Sequence, residues 1–337
     1  MRITLARLIT ACLFVSGAFA ALPASAQQFT MKISSPTIND IIHEWMKQVK
    51  AGVEQRSGGR IKVDLYPANQ LGQLPTVVDG VAMGTIELAN TAAGFVVGLE
   101  PRFQVFDAPG VFDSMAHVDR VMQDPEVQNR LATFGADKNI EILGVCVYSP
   151  LVLASHKAMR TVADAQGQKV RMPGGAPIQI EPFKKIGMLP VSMPLGEALP
   201  ALNNRSIDGV VAGMSVFTAF KYYDVVKPVT ELPSMFLLAP MIASRAFLRS
   251  LGPELEKIVR EEAAKANKLY GTFGIEEFGR SKETWRKNGG EYIVLPPAES
   301  KRYVETVASV LPPILGANSR VKEDYEALMA AAKKHRQ

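Results

Sequence analysis

Apolar residues recur along this chain in short blocks whose spacing changes between a period of two and a period of three to four. Met31-Lys32-Ile33 starts a short strand, and Ile38, Ile41, Ile42, Trp45, Val49 and Val53 follow at helical spacing until Ser57-Gly58-Gly59 stops them. Ile61, Val63 and Leu65 alternate with Lys62 and Asp64, which predicts a strand exposed on one face. A helix is expected from Pro75 to Met83, with Gly84 breaking it before a strand at Ile86-Glu87-Leu88. The sum is β-α-β-α-β, the opening of an open sheet with helices on its faces.

The alternation continues. The pattern predicts a helix from Ser114 to Phe134, a long apolar strand from Ile140 to Tyr148, and a strand from Lys169 to Met172. A helix over Pro177 to Ile186, a strand over Leu189 to Ser192, a short helix over Gly196 to Leu202 and a strand over Ile207 to Val211 come next. Val225 to Thr230 and Met235 to Ala243 read as two further strands. Two separate α/β patterns are therefore visible, one up to about residue 145 and one after it. From Pro253 to Arg286 helical periodicity runs without a proline, which at 1.5 Å per residue is roughly 50 Å. A helix of that length has to lie across both patterns, with a kink expected near Gly271 or Gly274. Tyr292 to Leu295 reads as a last strand before two closing helices.

The ends change the picture of where the protein works. Arg2 and Arg7 precede the apolar run Leu8 to Ala21, and Ala24-Ser25-Ala26 is an A-x-A cleavage signal. Residues 1–26 are thus expected to be a signal peptide and the chain to be exported to a bacterial periplasm; Ile9-Thr10-Ala11-Cys12 matches a lipobox only loosely. Loss of Arg2 and Arg7 takes the formal net charge from +5 to +3. Charges of both signs are interspersed without a basic run, so nucleic acid is not an expected partner. Cys12 lies in the signal, which leaves Cys146, in an apolar run, as a small buried hydrophobe.

Enzyme signatures are missing. The chain has no G-x-S-x-G elbow, no phosphate loop and no G-x-G-x-x-G fingerprint. His43, His117, His156 and His335 are too far apart for metal-ligand spacing, and no metal or cofactor is expected. Glu181 reads as a solvated helix position, and Glu197 as a first-turn acid that favours the helix dipole. What remains is a set of strand-to-helix turns, where ligands of open α/β sheets bind. On the first pattern these hold Ser35 and the stretch Asn90, Thr91, Ala92 to Phe95. On the second they hold Tyr148 to Leu151, Arg171 with Pro173 and two glycines, and Ala212, Met214 and Phe217. Arg171, in GQKVRMPGG, offers the planar donor fork that a carboxylate fits.

The residues 29–325 resemble the solute-binding proteins of tripartite ATP-independent periplasmic (TRAP) transporters, the DctP type. The resemblance rests on the order and spacing of GGRIKVDLYPANQLG, VAMGTIEL, DAPGVF, GQKVRMP, VSMPLGEALPALNNRSIDG and KYYDVVK. It implies an α/β periplasmic binding protein fold of two lobes, spanned by a long helix and closing on a ligand between them. The lobes are expected to comprise residues 27–145 with 231–270 and residues 146–230 with 271–325, residues 326–337 being the end of a C-terminal helix. It implies a monomer that takes a small organic acid to two integral membrane subunits, which use an ion gradient, and no catalysis. A ligand sensor for a membrane receptor, or an enzyme on the same scaffold, are the alternatives. In this family the arginine of K-x-R-x-P pairs with the ligand carboxylate, and that position is Arg171. A second arginine of many members falls at Leu151, the asparagine that often contacts ligand at Ala212, and a polar first-lobe turn reads Thr91-Ala92-Ala93. One arginine with apolar walls suits a monocarboxylate with a hydrophobic or aromatic body, because unpaired hydroxyls or a second carboxylate lose solvation in such a site.

Overall fold

The structure, a computed structural model, describes residues 28–336. The expected signal peptide, residues 1–26, lies outside the described residues. Strand β1 (Phe29–Ser34) is followed by helix α1 (Ile41–Arg56), whose first turn is capped by Asp40 accepting from the His43 N–H at 3.0 Å. Then come β2 (Ile61–Tyr66), α2 (Leu74–Met83) and β3 (Leu88–Asn90), with Gly84 ending α2 at φ 76°, a left-handed conformation that suits glycine. β1 pairs in parallel with both β2 and β3. The helix expected over 114–134 is two helices, α3 (Met115–Met122) and α4 (Pro125–Leu131). Pro125 ends the first by its missing N–H and starts the second, which Asp124 caps.

Two strands run far longer than the pattern suggests. β4 extends over Ile140–Ser155 and, late in the chain, β8 is continuous over Pro228–Ser244 where two strands were expected. They pair antiparallel along most of their length, with register shifts at 142–144, 147–149 and 150–152. At the last shift β4 advances from Pro150 to Val152 while β8 skips from Phe236 to Glu231. The skipped stretch holds Pro233, which has no N–H to give, and Ser234 at φ 53°. The break read from the sequence is therefore a bulge within one strand. The far halves of β4 and β8 belong to the second lobe, where β5 (Lys169–Met172), α5 (Pro177–Lys185), β6 (Leu189–Ser192), α6 (Leu195–Asn203), β7 (Gly209–Gly213) and α7 (Met214–Ala219) form parallel βαβ units. Both lobes share one sheet, in the order β2-β1-β3-β8-β4-β7-β5-β6, and β9 (Glu291–Ile293) adds beside β8.

After the short α8 (Arg245–Ser250), α9 (Gly252–Asn267) and α10 (Leu269–Lys287) make up the expected spanning helix. The break falls at Lys268 and not at Gly271 or Gly274. Asn267 sits at that break, accepting from Trp45 Nε1 of α1 at 2.8 Å and donating to the Leu143 carbonyl of the β4 bulge at 2.8 Å. α9 packs on α1 and β4, whereas α10 reaches α3 on one lobe and α7 and β9 on the other. Three helices close the chain, not two: α11 (Pro297–Ala308), α12 (Leu311–Gly316) and α13 (Ser319–Lys334). The expected grouping put residues up to 325 with the second lobe; α13 instead packs against α3, α4 and the 101–107 turn of the first.

Candidate functional site

Arg171 is the third residue of β5, flanked by Val191 of β6 and Val210 of β7. Its side chain reaches over the carboxyl ends of these strands, where Nε donates to the Met193 carbonyl at 2.8 Å and Nη1 to the Val211 carbonyl at 3.3 Å. No carboxylate pairs with it among the described residues, although only 2% of the residue is exposed. Burial pulls its pKa down to about 10, opposed by the nearby Tyr222, so the group stays charged at neutral pH. A buried cation with free N–H donors is a poor structural element and a good anion receptor.

The guanidinium faces a cavity of about 40 Å³ between the lobes. The first lobe contributes Pro36 and Thr37 after β1, Leu74 at the start of α2, and Asn90 and Ala92 after β3. The second contributes Pro173, Leu195, Ala212 and Val216, and the crossing strands add Tyr148, Leu237 and Ala239. The polar groups of the wall are largely occupied. The Tyr148 hydroxyl donates to Asp40 Oδ2 and lies 2.7 Å from Thr37 Oγ1, and burial together with the Asp40 charge raises its pKa further. The Asn90 amide is turned onto β8, donating to Met241 Sδ at 3.3 Å and, at 3.5 Å, to the carbonyls of Ala239 and Pro240.

Of the residues expected at the site, Arg171, Asn90, Ala92, Tyr148, Pro173 and Ala212 line this cavity. The others do not. Ser35 donates to the Thr37 carbonyl at 2.8 Å, and Thr91 to that of Ala92 at 3.2 Å, so both hydroxyls serve their own turns. Phe95 is half-buried and packs against the first-lobe core. Leu151 pairs with Gly213 inside the sheet and is buried in the other core cluster. Met214 and Phe217 share the inner face of α7, where the Phe217 ring lies 5.0 Å from Tyr222 and 6.2 Å from Trp285. It is Val216, on the opposite face, that meets the cavity. Leu74 and Leu195 each begin a helix that follows a strand, a position that the carboxyl-end rule points to.

The lobes touch around the cavity. An added Cβ on Gly174 would lie 2.5 Å from Gly94 Cα, and one on Gly94 2.8 Å from Gly174 Cα. The Gln179 Oε1 atom fills the notch, 2.6 and 2.7 Å from the same two positions. On another side Gln73 Nε2 would lie 2.5 Å from a Cβ on Gly196. Ile178, fully buried, joins the hydrophobic cluster of the first lobe. The cleft is shut.

Comparison with known proteins agrees with this architecture. Residues 34–315 match the family DctP, bacterial extracellular solute-binding protein, family 7. The chain is 24% identical over 289 residues to the 2,3-diketo-L-gulonate-binding periplasmic protein YiaO of Escherichia coli, covering 85% of this chain and 88% of that one. A TRAP periplasmic solute-binding protein from Desulfovibrio salexigens, with bound orotic acid, superimposes with a TM-score of 0.85 at 21% identity, covering 91% of this chain and 99% of the other. One from Bordetella bronchispeptica, with density assigned to pantoate, gives 0.82 at 23% identity, covering 90% and 99%. With the match over residues 34–315 and two lobes meeting around a buried arginine, the chain belongs to the DctP family of bacterial extracellular solute-binding proteins.

Proposed function

We propose that this protein captures a small organic monocarboxylate in the periplasm and carries it to the two membrane subunits of a TRAP transporter. The observation that carries this reading is Arg171, a buried cation with no carboxylate of its own, facing a cavity whose walls are mainly apolar. A ligand carboxylate would complete its charge in a water-poor site, for a net gain of about 1.5–3 kcal/mol. The Tyr148 and Thr37 hydroxyls already have partners and the Asn90 amide nitrogen donates to β8, which leaves few groups to receive ligand hydroxyls. The ligand body therefore fits best if it is hydrophobic, and the small volume beside Arg171 favours a compact body over a long one. The acids named for the similar proteins, diketogulonate, orotic acid and pantoate, each bring a carboxylate.

Bound ligand raises the melting temperature by mass action, so a thermal-shift panel tests the reading directly. Compact aliphatic or aromatic monocarboxylates such as 3-methylbutanoate and phenylacetate should give the largest shifts. Stabilisation by malate, succinate or sialic acid alone would defeat the hydrophobic-body assignment. It would leave the carboxylate anchor standing.

A further inference from the structure

We infer that Gly94, Gly174 and Gln179 are positioning residues: they fix how far the two lobes close, and so decide which ligand bodies the cleft accepts. The probe chosen below rests on the carboxylate reading of Arg171, but the contact itself does not.

The two glycines belong to different lobes. Gly94 follows β3, two residues after the cavity residue Ala92, and Gly174 follows β5, next to Pro173. Their backbones meet so closely that neither position has room for a Cβ: 2.5 Å and 2.8 Å are distances that carbon atoms do not adopt without something moving. What blocks each Cβ is the facing backbone as well as the Gln179 side chain, and backbone cannot rotate away. Neither glycine has a positive φ, so what calls for glycine is the close approach and not the turn. Gln179 is 2% exposed, its Oε1 has no hydrogen-bond partner, and it lies over the joint. An amide oxygen is held there by the fit of the lobes, not by a bond of its own. The contact of Gln73 with Gly196 sits beside Leu74 and Leu195, two further cavity residues, so the cavity is bracketed by tight interlobe contacts on two sides. Its size is set where the backbones touch.

Adding one methyl group should therefore hold the lobes apart. Cys146 is buried, so cysteines introduced at the exposed positions Gly98, on the first lobe, and Lys185, on the second, can be spin-labelled selectively. Electron–electron distance measurements on the full protein, with and without 3-methylbutanoate, then report closure. The unaltered clasp should show a short-distance population that the probe enriches. Gly174→Ala and Gly94→Ala should lose it, with distances longer by roughly 3 Å or more. Calorimetry should show 3-methylbutanoate bound at least tenfold more weakly and the larger phenylacetate less affected, while the melting temperature without ligand stays within about 2 °C. Gly175→Ala is the control, since its Cβ would meet Ser192 at an ordinary 3.6 Å. Equal distance distributions for Gly174→Ala and Gly175→Ala would overturn the inference. So would a protein with no short-distance population in any condition. A short-distance population present without a response to either acid would instead count against the carboxylate reading and leave the clasp intact.

Discussion

Arg102 in the first lobe and Arg171 in the second are both buried, at 6% and 2% exposure, yet they are finished differently. Arg102 holds Asp324 through Nε and Nη2, the latter at 2.8 Å, bonds Thr133 Oγ1 at 2.8 Å, and stacks over the Phe134 ring at 4.1 Å. The Asp324 bond raises its pKa. Arg171 has two backbone carbonyls and no anion, and burial lowers its pKa. A guanidinium with its own carboxylate is a rivet between the 101–107 turn and α13. A guanidinium without one is an incomplete pair, stable only because the rest of the fold supports it, and its completion has to come from outside. Position in the sheet agrees: Arg171 stands at the carboxyl ends of parallel strands, and Arg102 does not.

The largest expected effect comes from turning the first arginine into the second. Asp324→Ala leaves Arg102 buried and unpaired, and removes the partner of Arg130 as well (2.7 Å). Urea denaturation should show a loss of about 3–5 kcal/mol, with ligand affinity retained in the folded fraction. A loss below about 1 kcal/mol would mean that solvent replaces the pair, and burial would not separate structural from ligand-binding arginines.

The first lobe also holds an uncompensated acid, and it behaves otherwise because a carboxyl can discharge. Asp107 is 5% exposed, its Oδ2 has no partner, and burial alone pushes its pKa up from 3.8 to about 7. The folded state then holds a proton that the unfolded chain has released, so stability falls as pH rises from about 4 to about 7 and levels off above. Three units amount to roughly 4 kcal/mol at most. Asp107→Asn removes that loss. The difference in unfolding free energy between the variant and the parent should grow in the variant's favour across this window, other titrations cancelling. A difference independent of pH would show that Asp107 is ionised in the fold.

Much of this was legible beforehand because local rules governed it. β5 and β6 were readable to the residue, and α1 and α2 to within a few, since their apolar spacing and, for the helices, their glycine stops agree. Arg171 was legible as a strand-end cation. Most of the differences come from contacts between distant segments. Nothing local says that β8 continues through Pro233, because its pairing with β4 supplies that continuity. A local cause applies at α7, where six residues give too few turns for the sequence to tell the Val216 face from that of Met214 and Phe217. The Gly94–Gly174 contact joins residues 80 apart and shows in neither sequence neighbourhood.

Arg171→Met tests the incomplete pair from the other side. It should weaken binding of a carboxylate probe by about two orders of magnitude, since roughly 3 kcal/mol is a hundredfold. Without ligand it should not destabilise the protein. A pKa near 10 instead of 12.5 means that the fold disfavours the charge at neutral pH, and relieving that adds up to about 3 kcal/mol of stability. A variant with lost stability and unchanged affinity would make Arg171 a second rivet.

Tyr148 gives the smallest effect and the finest distinction. It lines the cavity like Arg171, but its hydroxyl is spent within the protein like the guanidinium of Arg102, donating to Asp40 and meeting Thr37 at 2.7 Å. Tyr148→Phe keeps the ring against the ligand and takes one donor from Asp40, which still caps α1 through the His43 N–H. The expected cost is about 1–2 kcal/mol of stability, with carboxylate affinity changed less than about twofold. If calorimetry finds the affinity down tenfold while stability holds, the hydroxyl turns to the ligand on binding. The cleft would then offer a polar contact beside Arg171, and its preference would move from hydrophobic bodies toward hydroxylated ones.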